Sequence, residues 1–171
     1  MGANCSGCVA GKYKQNNGSV ACTLCAAGKY SSSLNESTYT CNVCAAGSYP
    51  AGHRSKCLFC PAHSYSDAKS YNITACICDP GWTGTDGACT GCVSGKYKAM
   101  PGSAPCTGCV SGSYSAENTS QCVLCPTGSY SAFMSVSVAA CACNAGWSGV
   151  NGICVVCADG NDDDCFYYFQ K

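Results

Sequence analysis

The chain has little of three things on which most globular proteins depend. Leu, Ile, Val and Phe together number 22 of 171 residues, too few for an ordinary apolar core. Charged side chains make up 11% and cancel to a formal net charge of zero, and there are only two histidines. No apolar run reaches the roughly 18 residues that a membrane-spanning helix needs. The first shortage argues against Rossmann, barrel and bundle enzymes. The second separates the chain from disordered proteins, which combine low hydropathy with high net charge, and removes any electrostatic reason to expect nucleic acid or anionic lipid as a partner. The third predicts no membrane span. Met1-Gly2-Ala3-Asn4 leads directly into the cysteine pattern, so no signal peptide is expected within this chain. What is abundant is cysteine, with 21 residues, a density typical of disulfide scaffolds.

The cysteines fall at 5/8, 22/25, 41/44, 57/60, 76/78, 89/92, 106/109, 122/125, 141/143, 154/157 and 165. Eight pairs are C-x-x-C, two are C-x-C, and one residue stands alone. Most C-x-x-C pairs are followed by x-x-Gly-x-Tyr, as in Gly11-Lys12-Tyr13, Gly28-Lys29-Tyr30, Gly47-Ser48-Tyr49, Gly95-Lys96-Tyr97, Gly112-Ser113-Tyr114 and Gly128-Ser129-Tyr130. The pair at 57/60 keeps Tyr65 but has His63 in the glycine position. A shift of 65 carries the eight cysteines from Cys41 to Cys92 onto those from Cys106 to Cys157, Tyr49 onto Tyr114, and Gly81-Trp82 onto Gly146-Trp147. This duplication predicts a lead-in at 1–4, a first super-repeat at 5–88, a second at 89–153, and the start of a third unit with an aromatic tail at 154–171. Such periodicity implies a quasi-one-dimensional array whose units touch mainly their neighbours. Helical periodicity is absent, so short two-stranded hairpins joined by Gly-rich turns are expected instead.

Cys76-Ile77-Cys78-Asp79-Pro80-Gly81-Trp82-Thr83-Gly84 through Cys89, and its copy at 141–154, resemble the C-terminal half of an EGF-like domain. The C-x-x-C-x-x-Gly-x-Tyr-Ser units resemble the cysteine-rich repeats of the ephrin-receptor-like and tumour necrosis factor receptor-like families. The resemblance implies a small disulfide-rich fold, an elongated tandem array of hairpin modules with little regular secondary structure. The EGF-like pattern implies the bonds Cys78–Cys89 and Cys143–Cys154. Extending it gives a ladder: Cys8–Cys22, Cys25–Cys41, Cys44–Cys57, Cys60–Cys76, Cys92–Cys106, Cys109–Cys122, Cys125–Cys141 and Cys157–Cys165. Cys5 is then left unpaired or intermolecular. A crossed scheme, first cysteine with first and second with second, also uses twenty cysteines and leaves Cys165 over. It requires Cys76–Cys89, against the EGF-like pattern.

The remaining candidates for chemistry are few. Tandem C-x-x-C pairs can build zinc-thiolate sites, but the even march of pairs and five N-glycosylation sequons, at Asn4, Asn17, Asn35, Asn72 and Asn118, favour an oxidising, secretory route. His53 and His63 read as solvent-exposed loop residues, since neither has an acidic partner at a recognisable motif distance. No nucleophile, phosphate-binding or paired-carboxylate motif occurs, so no enzyme activity and no cofactor are expected. Asp159-Gly160-Asn161-Asp162-Asp163-Asp164 alternates oxygen ligands like a calcium loop but lacks the glycine at its sixth position. The repeated tyrosines, with Trp82 and Trp147, read as small structural cores stacked over neighbouring disulfides.

These features lead to the expectation of an extracellular or cell-surface structural segment, part of a coat or of a filament such as a flagellar hair. Self-association or other extracellular proteins are the expected partners, with glycans at the sequons. The competing reading is a receptor or adhesin ectodomain that binds a protein ligand. It predicts a surface patch that differs between repeats, whereas a structural array predicts near-equivalent surfaces.

Overall fold

A computed structural model describes residues 7–15, 20–32 and 40–157. Eighteen short strands pair as nine two-stranded sheets among these residues, and the only helices there are the 3-10 turns Ile73–Ala75 and Val138–Ala140. The fold is therefore a tandem series of small antiparallel hairpins, disulfide-rich and almost free of helix.

The common unit can be read from Cys8 onward. Lys12 N–H donates to the Val9 carbonyl at 3.1 Å, closing a turn over Ala10-Gly11. Gly11 has φ +86°, the left-handed value that the third residue of a type II turn requires and that glycine adopts at least cost. The chain then enters strand Lys12–Tyr13, which pairs with Thr23–Leu24, the two residues inside the next C-x-x-C. Tyr13 faces Thr23 and Lys12 faces Leu24, and the same register recurs as Tyr30 with Asn42, Tyr49 with Leu58, Tyr97 with Thr107 and Tyr114 with Val123. Gly-x-Tyr and x-x are thus the two arms of one hairpin.

His63 follows the same rule in glycine's place. Its φ is +60° and Ser64 N–H donates to Pro61 O at 3.2 Å, so the turn survives the substitution. The C-x-C pairs are one residue short, and the register shows where the loss is absorbed. Tyr65 still faces Ile77, but Ser64 now faces Cys78 itself. Asp79 then supplies the N–H that elsewhere comes from the second cysteine, donating to His63 O at 2.9 Å, and Asn144 does the same to Gly128 O.

Nine disulfides join described residues: Cys8–Cys22, Cys25–Cys41, Cys44–Cys57, Cys60–Cys76, Cys78–Cys89, Cys92–Cys106, Cys109–Cys122, Cys125–Cys141 and Cys143–Cys154. Each joins the second cysteine of a pair to the first of the next, which is the ladder and not the crossed scheme. Each bridge closes one repeat of 11 to 16 residues in separation. Cys157 is disulfide-bonded too; its expected partner Cys165 lies outside the described residues, as does Cys5.

Chain contacts divide the molecule into two compact units, one running to Asp79 and including Gly84–Cys89, the other Pro80–Thr83 and Thr90 onward. The division runs through the hairpin of Trp82–Thr85 with Ala88–Gly91.

Candidate functional surface

What is buried is small. Cysteines, chiefly the second of each pair, and serines fill the interior: Cys25, Cys44, Cys78 and Cys109 are wholly enclosed, and so are Ser31, Ser66 and Ser115 to within about 1%. In three repeats the serine that follows the tyrosine has a specific task. Ser66 Oγ donates to Ser48 O at 3.3 Å, Ser115 Oγ to Lys96 O at 3.0 Å and Ser131 Oγ to Ser113 O at 3.0 Å, each reaching the preceding repeat. Ser31 Oγ is the one buried side-chain oxygen or nitrogen left without a partner among the described residues. The serines before tyrosine close their own turns: Ser48, Ser64, Ser113 and Ser129 donate to the carbonyl three residues back at 2.6–2.7 Å. Lys14 and Lys98, which stand where other repeats have this second serine, are buried as well.

The tyrosines do not form the core that the sequence suggested. Most are half-buried, and Tyr65 and Tyr130 are exposed. Two of the rings lie against the turn glycine of the repeat before: Tyr65 at Gly47 and Tyr130 at Gly112. Trp147 likewise covers Gly128. At Gly128 a β-carbon would collide with the Trp147 ring, whereas at Gly47 it would only touch Tyr65.

Most repeats are joined by the same backbone groups. The second cysteine donates its N–H to the preceding turn glycine, as from Cys25 to Gly11, Cys60 to Gly47, Cys92 to Gly81 and Cys109 to Gly95, at 2.9 Å. The turn glycine donates forward to the residue after the next tyrosine: Gly11 to Ser31, Gly47 to Ser66, Gly81 to Lys98, Gly95 to Ser115 and Gly112 to Ser131, at 2.6–2.9 Å.

Contacts also extend past the nearest neighbour, beyond what the repeat pattern implied. Within the first unit the carbonyl of His53 sits over Gly11 and that of Lys69 over Gly28; within the second, Asn118 covers Gly81 and Met134 covers Gly95. In every case the covering residue lies two repeats further along. Lys69, Asn118 and Met134 have left-handed φ of 68°, 59° and 61°. Their N–H groups donate to the carbonyls of Cys44, Cys92 and Cys109, at 3.1, 2.8 and 2.9 Å. Arg54 reaches the Cys25 carbonyl with its guanidinium instead. Apart from the sequon at Asn118 no motif in the sequence marks these loop residues, because the interaction is made largely by their backbone.

Large apolar side chains face outward. Among the described residues the buried hydrophobic set is entirely cysteine, while Leu24, Val43, Phe59, Leu124 and Val156 are exposed, Phe59 to 85%. These five share the third position of their C-x-x-C pairs, on strands that hydrogen-bond on one side only. At two of the pairs where that position is glycine it is covered: the Asn118 side chain lies on Gly91, and Phe133 with Met134 on Gly108.

His53 and His63 are both exposed. No group of three or more His, Cys, Asp or Glu able to hold a metal occurs among the described residues, and 159–164 lies outside them. A hollow of about 280 Å³ lined by Tyr97, Val110, Ser113, Gln121, Cys122 and Leu124 carries no carboxylate, histidine or lysine. No described helix is long and apolar enough to cross a membrane. Of the sequons, Asn72 and Asn118 are exposed; Asn4, Asn17 and Asn35 fall outside the described residues. No protein-family model matches the chain, and no curated protein is recovered as a relative.

Proposed function

We propose that this chain is a structural segment of an extracellular surface or filament-forming glycoprotein, acting through covalent stiffness and lateral or longitudinal assembly. The observation that carries this reading is the closure of every described repeat by its own disulfide, each repeat being tied onward by the same small set of backbone groups. In such an array a stretched hairpin is held at its root by a covalent bond, and strain passes to the next repeat through buried hydrogen bonds. Bridges of this density belong to oxidising compartments, which supports the extracellular placement.

Assembly is supported by the outward apolar residues. Strands that are open at one edge and bear Leu24, Val43, Phe59, Leu124 or Val156 are suited to bury that surface against a second copy or another extracellular protein. A ligand-binding ectodomain calls for a patch peculiar to one repeat. The recurrence of the same exposed position in five pairs favours the structural reading instead. Resemblance to EGF-like and tumour necrosis factor receptor-like modules is compatible with either, since such scaffolds serve many functions. Electron microscopy of native material tests the proposal: continuous fibres or a coat lattice are expected, and isolated molecules of a single array would overturn it.

A further inference from the structure

We infer that Asn72 is an N-glycan acceptor and that Asn118, although it sits in an equally valid sequon, is retained for packing and stays bare. The inference rests on the extracellular reading above.

Asn72 stands at the start of the 3-10 turn Ile73–Ala75, exposed, with exposed Tyr71 and Ile73 on either side. Its Oδ1 accepts both the Thr74 N–H at 3.0 Å and the Thr74 hydroxyl at 2.5 Å. The sequon's own hydroxyl therefore already rests on the acceptor carboxamide, and the Nδ2 group donates to nothing among the described residues. Everything the side chain touches by hydrogen bonding lies two residues away. The cap is also dispensable: 65 residues on, Ser137 begins the matching turn Val138–Ala140 with no side-chain cap bond, and the turn forms all the same. The fold does not need an asparagine there.

Asn118, also exposed, is held instead by packing onto residues distant in sequence. Its φ of 59° lies where asparagine is favoured over most residues. Its N–H is held by Cys92 O at 2.8 Å, and its carbonyl carbon lies 2.8 Å from where a β-carbon on Gly81 would be. Its side chain is laid over Gly91, with Cγ 2.7 Å and a Trp82 ring carbon 3.4 Å from the corresponding β-carbon point. These partners, residues 81–92, precede Asn118 in the chain, so they are already synthesised when it appears. Docking onto them competes with any enzyme that must draw the sequon off the surface, whereas releasing Asn72 breaks only a local turn.

The transfer forms a bond from Asn72 Nδ2 to the anomeric carbon of an oligosaccharide. The bond from that carbon to the pyrophosphate of a lipid-linked donor breaks, the pyrophosphate leaves with the electron pair, and one amide proton passes to the transferase.

The test secretes the full chain from eukaryotic cells behind a cleavable leader, releases N-glycans enzymatically in heavy-oxygen water, and reads each sequon peptide by mass spectrometry. Asn72 is expected as labelled Asp in most molecules and Asn118 as unmodified Asn. Thr74→Ala should remove one glycan step on a gel, while Ser120→Ala should remove none. Labelled Asp at 118 in the unsubstituted chain, or bare Asn72, overturns the inference. Native material with free thiols and no glycan would instead refute the extracellular reading and leave the ranking of the two acceptors in the secreted chain intact.

Discussion

The contact between repeats two apart can be isolated by a pair of alanine substitutions. Gly28 and Gly47 occupy the same turn position in successive repeats, with φ of 74° and 75°. Placing Ala at either costs about 1–2 kcal/mol for a β-carbon in the left-handed region. At Gly47 that is the whole effect, because the nearest atoms to the new methyl are Tyr65 ring carbons at 3.7 Å, ordinary contact. At Gly28 the methyl would lie 2.7 Å from the Lys69 carbonyl carbon and 2.9 Å from its Cα. Backbone must then move, adding roughly 1–3 kcal/mol of overpacking. Hydrogen exchange with the disulfides intact reads the difference at the Lys69 amide, which donates to Cys44 O at 3.1 Å. Local opening free energies convert to exchange rates at tenfold per about 1.4 kcal/mol. Gly28→Ala should therefore speed exchange at Lys69 roughly 5- to 150-fold more than Gly47→Ala does. Equal acceleration by the two variants would show that the second-neighbour contact contributes nothing and that the array is held by its nearest neighbours alone.

Replacing His63, whose φ is 60°, by Gly should be neutral or stabilise its turn by up to about 1 kcal/mol, read as slower exchange at the Asp79 amide; a clear loss of protection would refute its role as a glycine substitute. Converting both Cys44 and Cys57 to Ser should cost about 3 kcal/mol for a loop of this length, measured by denaturant unfolding, with the other bridges unchanged on non-reducing peptide maps. A Cys76–Cys89 peptide in the unsubstituted protein would contradict the ladder itself. Phe59→Asp and Leu124→Asp alter side chains that are 85% and 75% exposed, so stability should change by no more than about 0.5 kcal/mol while assembly into fibres is lost; fibres of undiminished length would remove these strands from the assembly surface.

Much of this fold was legible because cysteine and glycine carry their geometry in their identity. The spacing of the pairs and the EGF-like resemblance of 76–89 and 141–154 pointed to the ladder, and Gly-x-Tyr after each pair pointed to turns and hairpins. His63 in a glycine position was visible as an exception, and the left-handed turn explains it. Less legible was the division of labour inside Gly-Ser-Tyr-Ser. The tyrosine looked like the core residue because it is the largest. In fact Ser66, Ser115 and Ser131 are buried and the rings of Tyr65 and Tyr130 lie outside, since the space between closely bridged repeats admits a hydroxyl but not a ring.

The sequence by itself determined the repeat, its turn positions and the expectation of short hairpins, since cysteine and glycine carry their geometry in their identity; the ladder was what the EGF-like resemblance implied, and the structure chose it over the crossed scheme. Only the tertiary structure decided that Lys69 and Met134 reach back to glycines two repeats earlier, and that of two equivalent sequons one is laid into a contact and the other left on a local turn. Those decisions are made by carbonyls and amides, which every residue possesses. No choice of side chain announces them until the chain has folded.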